Sequence, residues 1–186
     1  FSASGREIDS IFCALFALVM ISKPVMANSR LLAVEEGQIS GIRASNDVDA
    51  FLGIPYAAPP IGSLRWKAPK PAETWTGVFK ANKFPTACPQ IGNFFANVPA
   101  SQFGKPVGTE DCLYLNVWRP IAAKEKQLPV VVWIHGGSNF KGTASDPMYN
   151  GTYLASKSNV VMVSLNYRIG LLGAISYKAI QNSGSK

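Results

Sequence analysis

The chain has 186 residues, enough for one domain with a sizeable core, and its 47% hydrophobic and 11% aromatic content exclude a disordered chain. The formal charge of +7 raises nucleic-acid binding, but the basic residues are scattered over 67–83, 119–126 and 178–186 with no dense run and no DNA- or RNA-binding motif. The charge therefore reads as a solvated basic surface, or as one part of a larger protein whose acidic part lies elsewhere. Thirteen prolines and sixteen glycines predict many turns and few long helices.

In chain order, residues 11–21, IFCALFALVMI, form an unbroken apolar run, too short to span a bilayer and the right length for a signal-peptide core. Val25 and Ala27 place cleavage after Ala27, so residues 1–27 are expected to be a signal peptide and 28–186 the mature segment, secreted or periplasmic, with no membrane span. A buried core helix is the alternative. Cys13 leaves with the run. Cys88 and Cys112 then form an even pair: a disulfide in an exported chain, or two buried thiols in a cytosolic one.

Leu31–Glu35 and Gln38–Arg43 flank Glu36-Gly37 and predict a hairpin, and Val48–Ile54 predicts a third strand stopped by Pro55. The prolines of 56–71 exclude a helix or a central strand. Residues 84–108 read as a long loop, the kind that binds or covers a ligand. Leu113–Trp118, Pro129–His135 and Val160–Leu165 are further strands. The last two are continuously apolar, which predicts burial on both faces. Asn150–Lys157 is a short helix joining them, as a parallel pair requires. The fold class is α/β: antiparallel strands leading into a central, mostly parallel sheet.

The stretch WIHGGSNFKG at 133–142 places the only histidine of the chain before two glycines at the end of a buried-type strand. Glycines there let backbone N–H groups turn toward one point, as an oxyanion hole for acyl transfer requires. A tight turn from strand to loop is the alternative reading.

Around this loop, in order, stand FLGIPYAAPPIGSLRW at 51–66, GTEDCLYLNVWRP at 108–120 and NYRIGLLG at 166–173. Together they resemble the N-terminal part of a type-B carboxylesterase, the α/β-hydrolase family that includes the cholinesterases, from about Leu31 to Gly173. Glu110-Asp111-Cys112-Leu113-Tyr114-Leu115-Asn116 matches a family signature without a mismatch. The resemblance implies a serine esterase acting on small carboxylic esters, with no metal and no organic cofactor. It implies an oxyanion hole at Gly136, Gly137 and Ser138, a Cys88–Cys112 disulfide, and an ion pair between Arg65 and Glu110. His135 then ends the strand and is no base. Two departures matter. Asn139 stands where the family often has an aromatic, with Phe140 one place later. The 89–108 loop also lacks the tryptophan that cholinesterases use for a quaternary ammonium, so a cholinergic substrate is unsupported.

A serine esterase also needs a nucleophile on a G-x-S-x-G elbow, then an acid, then a histidine. No G-x-S-x-G occurs in the 186 residues. The chain is thus expected to carry the oxyanion-hole loop without the catalytic triad and to be inactive alone. The alternatives are a non-catalytic, cholinesterase-like binding protein of the same fold, or an inactive truncated product. The oligomeric state has no signal in the sequence.

Overall fold

The computed structural model describes residues 30–121 and 127–174. The expected signal peptide lies outside the described residues. The strands, in chain order, are β1 (Leu31–Val34), β2 (Gly37–Ser40), β3 (Ile42–Ser45), β4 (Val48–Pro55), β5 (Val78–Lys80), β6 (Gln90–Ile91), β7 (Pro106–Val107), β8 (Tyr114–Pro120), β9 (Val130–Ile134) and β10 (Val161–Leu165). Two short α-helices, α1 (Thr152–Ser158) and α2 (Leu171–Ala174), and four single 3-10 turns, at Gly62–Leu64, Phe94–Ala96, Ala100–Gln102 and Pro147–Tyr149, complete the regular structure of the described residues.

β1 and β2 form the expected antiparallel hairpin, but its second strand ends at Ser40 instead of running to Arg43, because the chain passes at Gly41 into β3 of the main sheet; β5 adds to β2 in parallel. The main sheet has five strands in the order β3-β4-β8-β10-β9. Its first three joints are antiparallel, and β10 meets β9 in parallel. The long loop holds a small antiparallel pair, β6 with β7.

Period-two alternation along β4 builds two cores. Val48, Ala50 and Leu52 face α1, where they meet Trp118, Ala155 and Met162. Phe51 points the other way, toward Ile39 and Ala81 under the β1-β2-β5 layer. The register slips between Phe51 and Ile54, and this bulge puts Ile54 on the same side as Phe51. The Gly53 N–H freed by the bulge donates to Asn116 Oδ1 at 3.0 Å. Asn116 is fully buried, and its amide donates in turn to Ser164 Oγ at 3.1 Å. The bulge is therefore satisfied across β8 and β10, as buried backbone polar groups must be.

The expectation of burial on both faces fails for β9. All five of its residues are exposed, and among the described residues the strand pairs only with β10. β10 itself alternates between half-buried and buried. The run PVVVW has the apolarity of a covered strand, but no described element covers it.

Candidate active site

β9 and β10 are parallel and in register from Val161 opposite Val130 to Leu165 opposite Ile134, so both end on one side of the sheet. The segments that follow, His135–Gly142 and Asn166–Gly170, therefore lie together. Carboxyl ends of parallel strands are where open α/β sheets bind ligands.

The loop after β9 is tightly wound. Phe140 N–H and Lys141 N–H both donate to Gly137 O, at 3.0 and 3.2 Å. Gly137 has φ 118°, and a Cβ there would overlap the Lys141 carbonyl, so glycine is required. Ser138 and Asn139 follow in the left-handed region, at φ 55° and 59°. Asn accepts that conformation more readily than most residues. The strain is compensated by bonds at both ends of the loop. Gly170 N–H donates to Asn139 O at 2.5 Å. The Gln90 carboxamide grips Gly142, accepting from its N–H and donating to its carbonyl, each at 2.9 Å. Among the described residues, no hydrogen bond uses the N–H of Gly136, Gly137 or Ser138 as donor. Gly136 and Gly137 line a cavity of about 300 Å³ with Phe95, Lys141 and Tyr149.

His135 is buried and stacked on Tyr167, with ring centroids 4.5 Å apart. Its Nδ1 lies 2.9 Å from Gly136 O, a pure acceptor, so the proton sits on Nδ1. Burial pushes its pKa below the ordinary value, and the imidazole stays neutral. Tyr167 Oη donates to His135 O at 2.7 Å, closing the pair. His135 is a support under the loop.

Asn166, 1% exposed, fastens the next stretch of chain. Its Oδ1 accepts from Ala144 N–H at 2.8 Å and Thr143 Oγ1 at 3.1 Å, and its Nδ2 donates to Thr86 O at 3.0 Å. Gln90, Asn166 and Tyr167 were not singled out from the sequence. Each is an ordinary polar side chain whose partners are far away along the chain. The only signal was the polar Asn-Tyr-Arg that follows an apolar strand.

Cys88 and Cys112 are bonded, with Sγ–Sγ 2.00 Å, and the bridge packs with Ala57, Leu113 and Ile169. It ties the long loop to the start of β8. Arg65 donates two hydrogen bonds to Glu110, from Nε to Oε2 at 2.6 Å and from Nη2 to Oε1 at 2.7 Å. The Arg65 hydrogen bond holds the Glu110 carboxyl below its ordinary pKa. Both side chains keep solvent contact, so the pair orients segments more than it stabilises them. The described residues contain no group of three or more His, Cys, Asp or Glu side chains placed to hold a metal ion, and no helix long and apolar enough to cross a membrane.

This arrangement, a twisted sheet with a glycine loop leaving the carboxyl end of a parallel strand, is the N-terminal portion of an α/β-hydrolase. Residues 28–184 match the carboxylesterase family, and the chain belongs to it. It is 42% identical over 153 residues to acetylcholinesterase of Danio rerio, covering 78% of this chain and 24% of that protein. It is 38% identical over 156 residues to para-nitrobenzyl esterase of Bacillus subtilis (strain 168), covering 84% of this chain and 31% of that one. Among solved structures, a PNB esterase superposes with a TM-score of 0.74 at 36% identity, covering 84% of this chain and 31% of that chain. The chain thus spans about a quarter to a third of the length of these relatives.

Proposed function

We propose that this chain is the oxyanion-hole segment of a carboxylic-ester hydrolase. The observation that carries the reading is the loop Gly136-Gly137-Ser138, whose N–H groups have no hydrogen-bond acceptor among the described residues and which borders a cavity. Free N–H groups at the carboxyl end of a parallel strand pair suit an oxygen that gains negative charge during acyl transfer. In that reaction a serine oxygen adds to the ester carbonyl, and the carbonyl oxygen becomes the oxyanion held by Gly137 and Ser138. The tetrahedral intermediate expels the alcohol to leave an acyl-enzyme, and water then releases the acid. The serine, its histidine and its acid come from sequence other than residues 1–186, since His135 is spent as a support.

The remaining assignments fit around that loop. The Cys88–Cys112 bridge ties the long loop to the start of β8, and the Arg65–Glu110 pair joins two further segments of the chain. The bridge also favours an oxidising compartment, consistent with export. The substrate is a small carboxylic ester.

The test is to read the coding sequence past the Lys186 codon, express the whole protein, and assay p-nitrophenyl butyrate. Turnover is expected, with Gly137→Ala lowering kcat by about a hundred- to a thousandfold, because the added Cβ would overlap the Lys141 carbonyl and push the loop N–H groups out of line, an effect of the size seen when one oxyanion donor is lost. A complete protein without a glycine-flanked serine overturns the reading in favour of a binding protein of this fold. So does a Gly137→Ala variant that retains wild-type kcat.

A further inference from the structure

The cavity beside Gly136 and Gly137 is walled by Phe95, Lys141 and Tyr149, and no acidic residue among the described ones lines it. Among the described residues its single charge is the Lys141 ammonium, 5.2 Å from the centroid of the Phe95 ring. That distance is within the range of a cation–π contact, which steadies an otherwise free side chain. No carboxylate among the described residues pairs with Lys141. Lys141 cannot drift far, because its own N–H is fixed to Gly137 O, four residues back in the same loop. Tyr149 is half-buried, with its ring 5.3 Å from that of Trp133, and adds a phenol hydroxyl to the same wall. The wall therefore offers a cation, a neutral donor and an aromatic face, with no described residue to balance the cation.

We infer that this cavity selects esters bearing a negative charge, with Lys141 as the specificity-determining residue and Phe95 packing the apolar part of the substrate. The inference rests on the acyl-transfer reading and names the substrate class for the same site. A carboxylate on the substrate supplies the counter-charge that the described residues do not. Its value grows as the bound ester displaces water from the cavity. The formal charge of +7 adds a general attraction for anionic substrates.

The experiment uses the whole protein and two esters with the same acyl group, 4-acetoxybenzoate and its neutral methyl ester, with a second pair carrying the charge on the acid side, mono-p-nitrophenyl adipate and p-nitrophenyl hexanoate. The readout is the ratio of kcat/KM for the charged to the neutral member. Lys141→Met, which keeps the length of the side chain, is expected to lower that ratio about five- to tenfold for at least one pair. Lys141→Arg is expected to restore it, and raised salt to shrink the wild-type ratio. If Lys141→Met lowers both members equally, Lys141 serves the oxyanion or the loop, and the inference is overturned. An unchanged ratio in both pairs overturns it as well. If the native protein turns over none of the four esters, the acyl-transfer reading fails first and takes this inference with it.

Discussion

Asn166 fastens three segments with one carboxamide, and its replacement tests whether that clasp holds the site together. In Asn166→Ala, the Ala144 N–H and the Thr143 hydroxyl lose their acceptor. Both residues are buried, at 1% and 0% exposure, so water cannot replace it. A buried donor left unsatisfied costs about 1–3 kcal/mol, so the pair amounts to about 4 kcal/mol. The third partner, Thr86 O, sits on an exposed residue and adds little. At a urea m-value of about 2–3 kcal/mol/M, the midpoint should fall by about 1.5 M with an unchanged slope. Thr143→Val alone should cost about 1–2 kcal/mol, because Asn166 keeps its bond from Ala144 while Ser145 N–H loses an acceptor. The double variant should cost less than the sum by about 1 kcal/mol, since the Thr143 hydroxyl is already orphaned once Asn166 is gone. A loss below about 1 kcal/mol for Asn166→Ala, or strict additivity, would refute this account of the clasp.

Three further outcomes follow from other parts of the structure. Replacing Cys88 and Cys112 together by alanine opens a loop of sequence separation 24, and should lower stability by about 3.5 kcal/mol on the chain-entropy account, read as a urea midpoint shift. Glu110 has its pKa lowered in the folded state by Arg65, so the pair contributes above the ordinary value of 4.5 and is lost as pH falls through the depressed one. Unfolding midpoints followed down from pH 5 should therefore drop, and less steeply in Glu110→Gln; equal slopes would remove the pair from the explanation. The purified 186-residue chain, with its one histidine stacked under the loop and no G-x-S-x-G, should release no nitrophenol from p-nitrophenyl butyrate above a boiled control.

Most of the longer strands were legible because β-branched runs, alternation and proline stops mark them directly, but the three-residue β5 carries too little pattern to be read, and the expected Gln38–Arg43 divides at Gly41 into β2 and β3. Val48–Ile54 is one such case, extended in the structure by Pro55. The β6-β7 pair was not legible, since two-residue strands carry no periodicity, and 84–108 read as plain loop. The glycine loop was visible because glycine before glycine at a strand end has few other uses. What supports it was not. Gln90 reaches Gly142 across 52 positions and Asn166 reaches Thr86 across 80, and single polar residues announce no such partner. The fault with β9 is of another kind. Its composition records the surroundings the strand is suited to, and composition cannot say which residues provide them.

That same strand has a consequence for handling the protein. Among the described residues, Val130–Ile134 combines strong β-propensity and no charge with an open edge and exposed faces. Such a segment is a template for any other copy of itself, stacking strand on strand into insoluble assemblies. A preparation limited to these residues is expected to be lost to aggregation before it is lost to unfolding. A lysine at Val132, on the exposed strand, should rescue yield without touching the bonds that shape the loop beyond it.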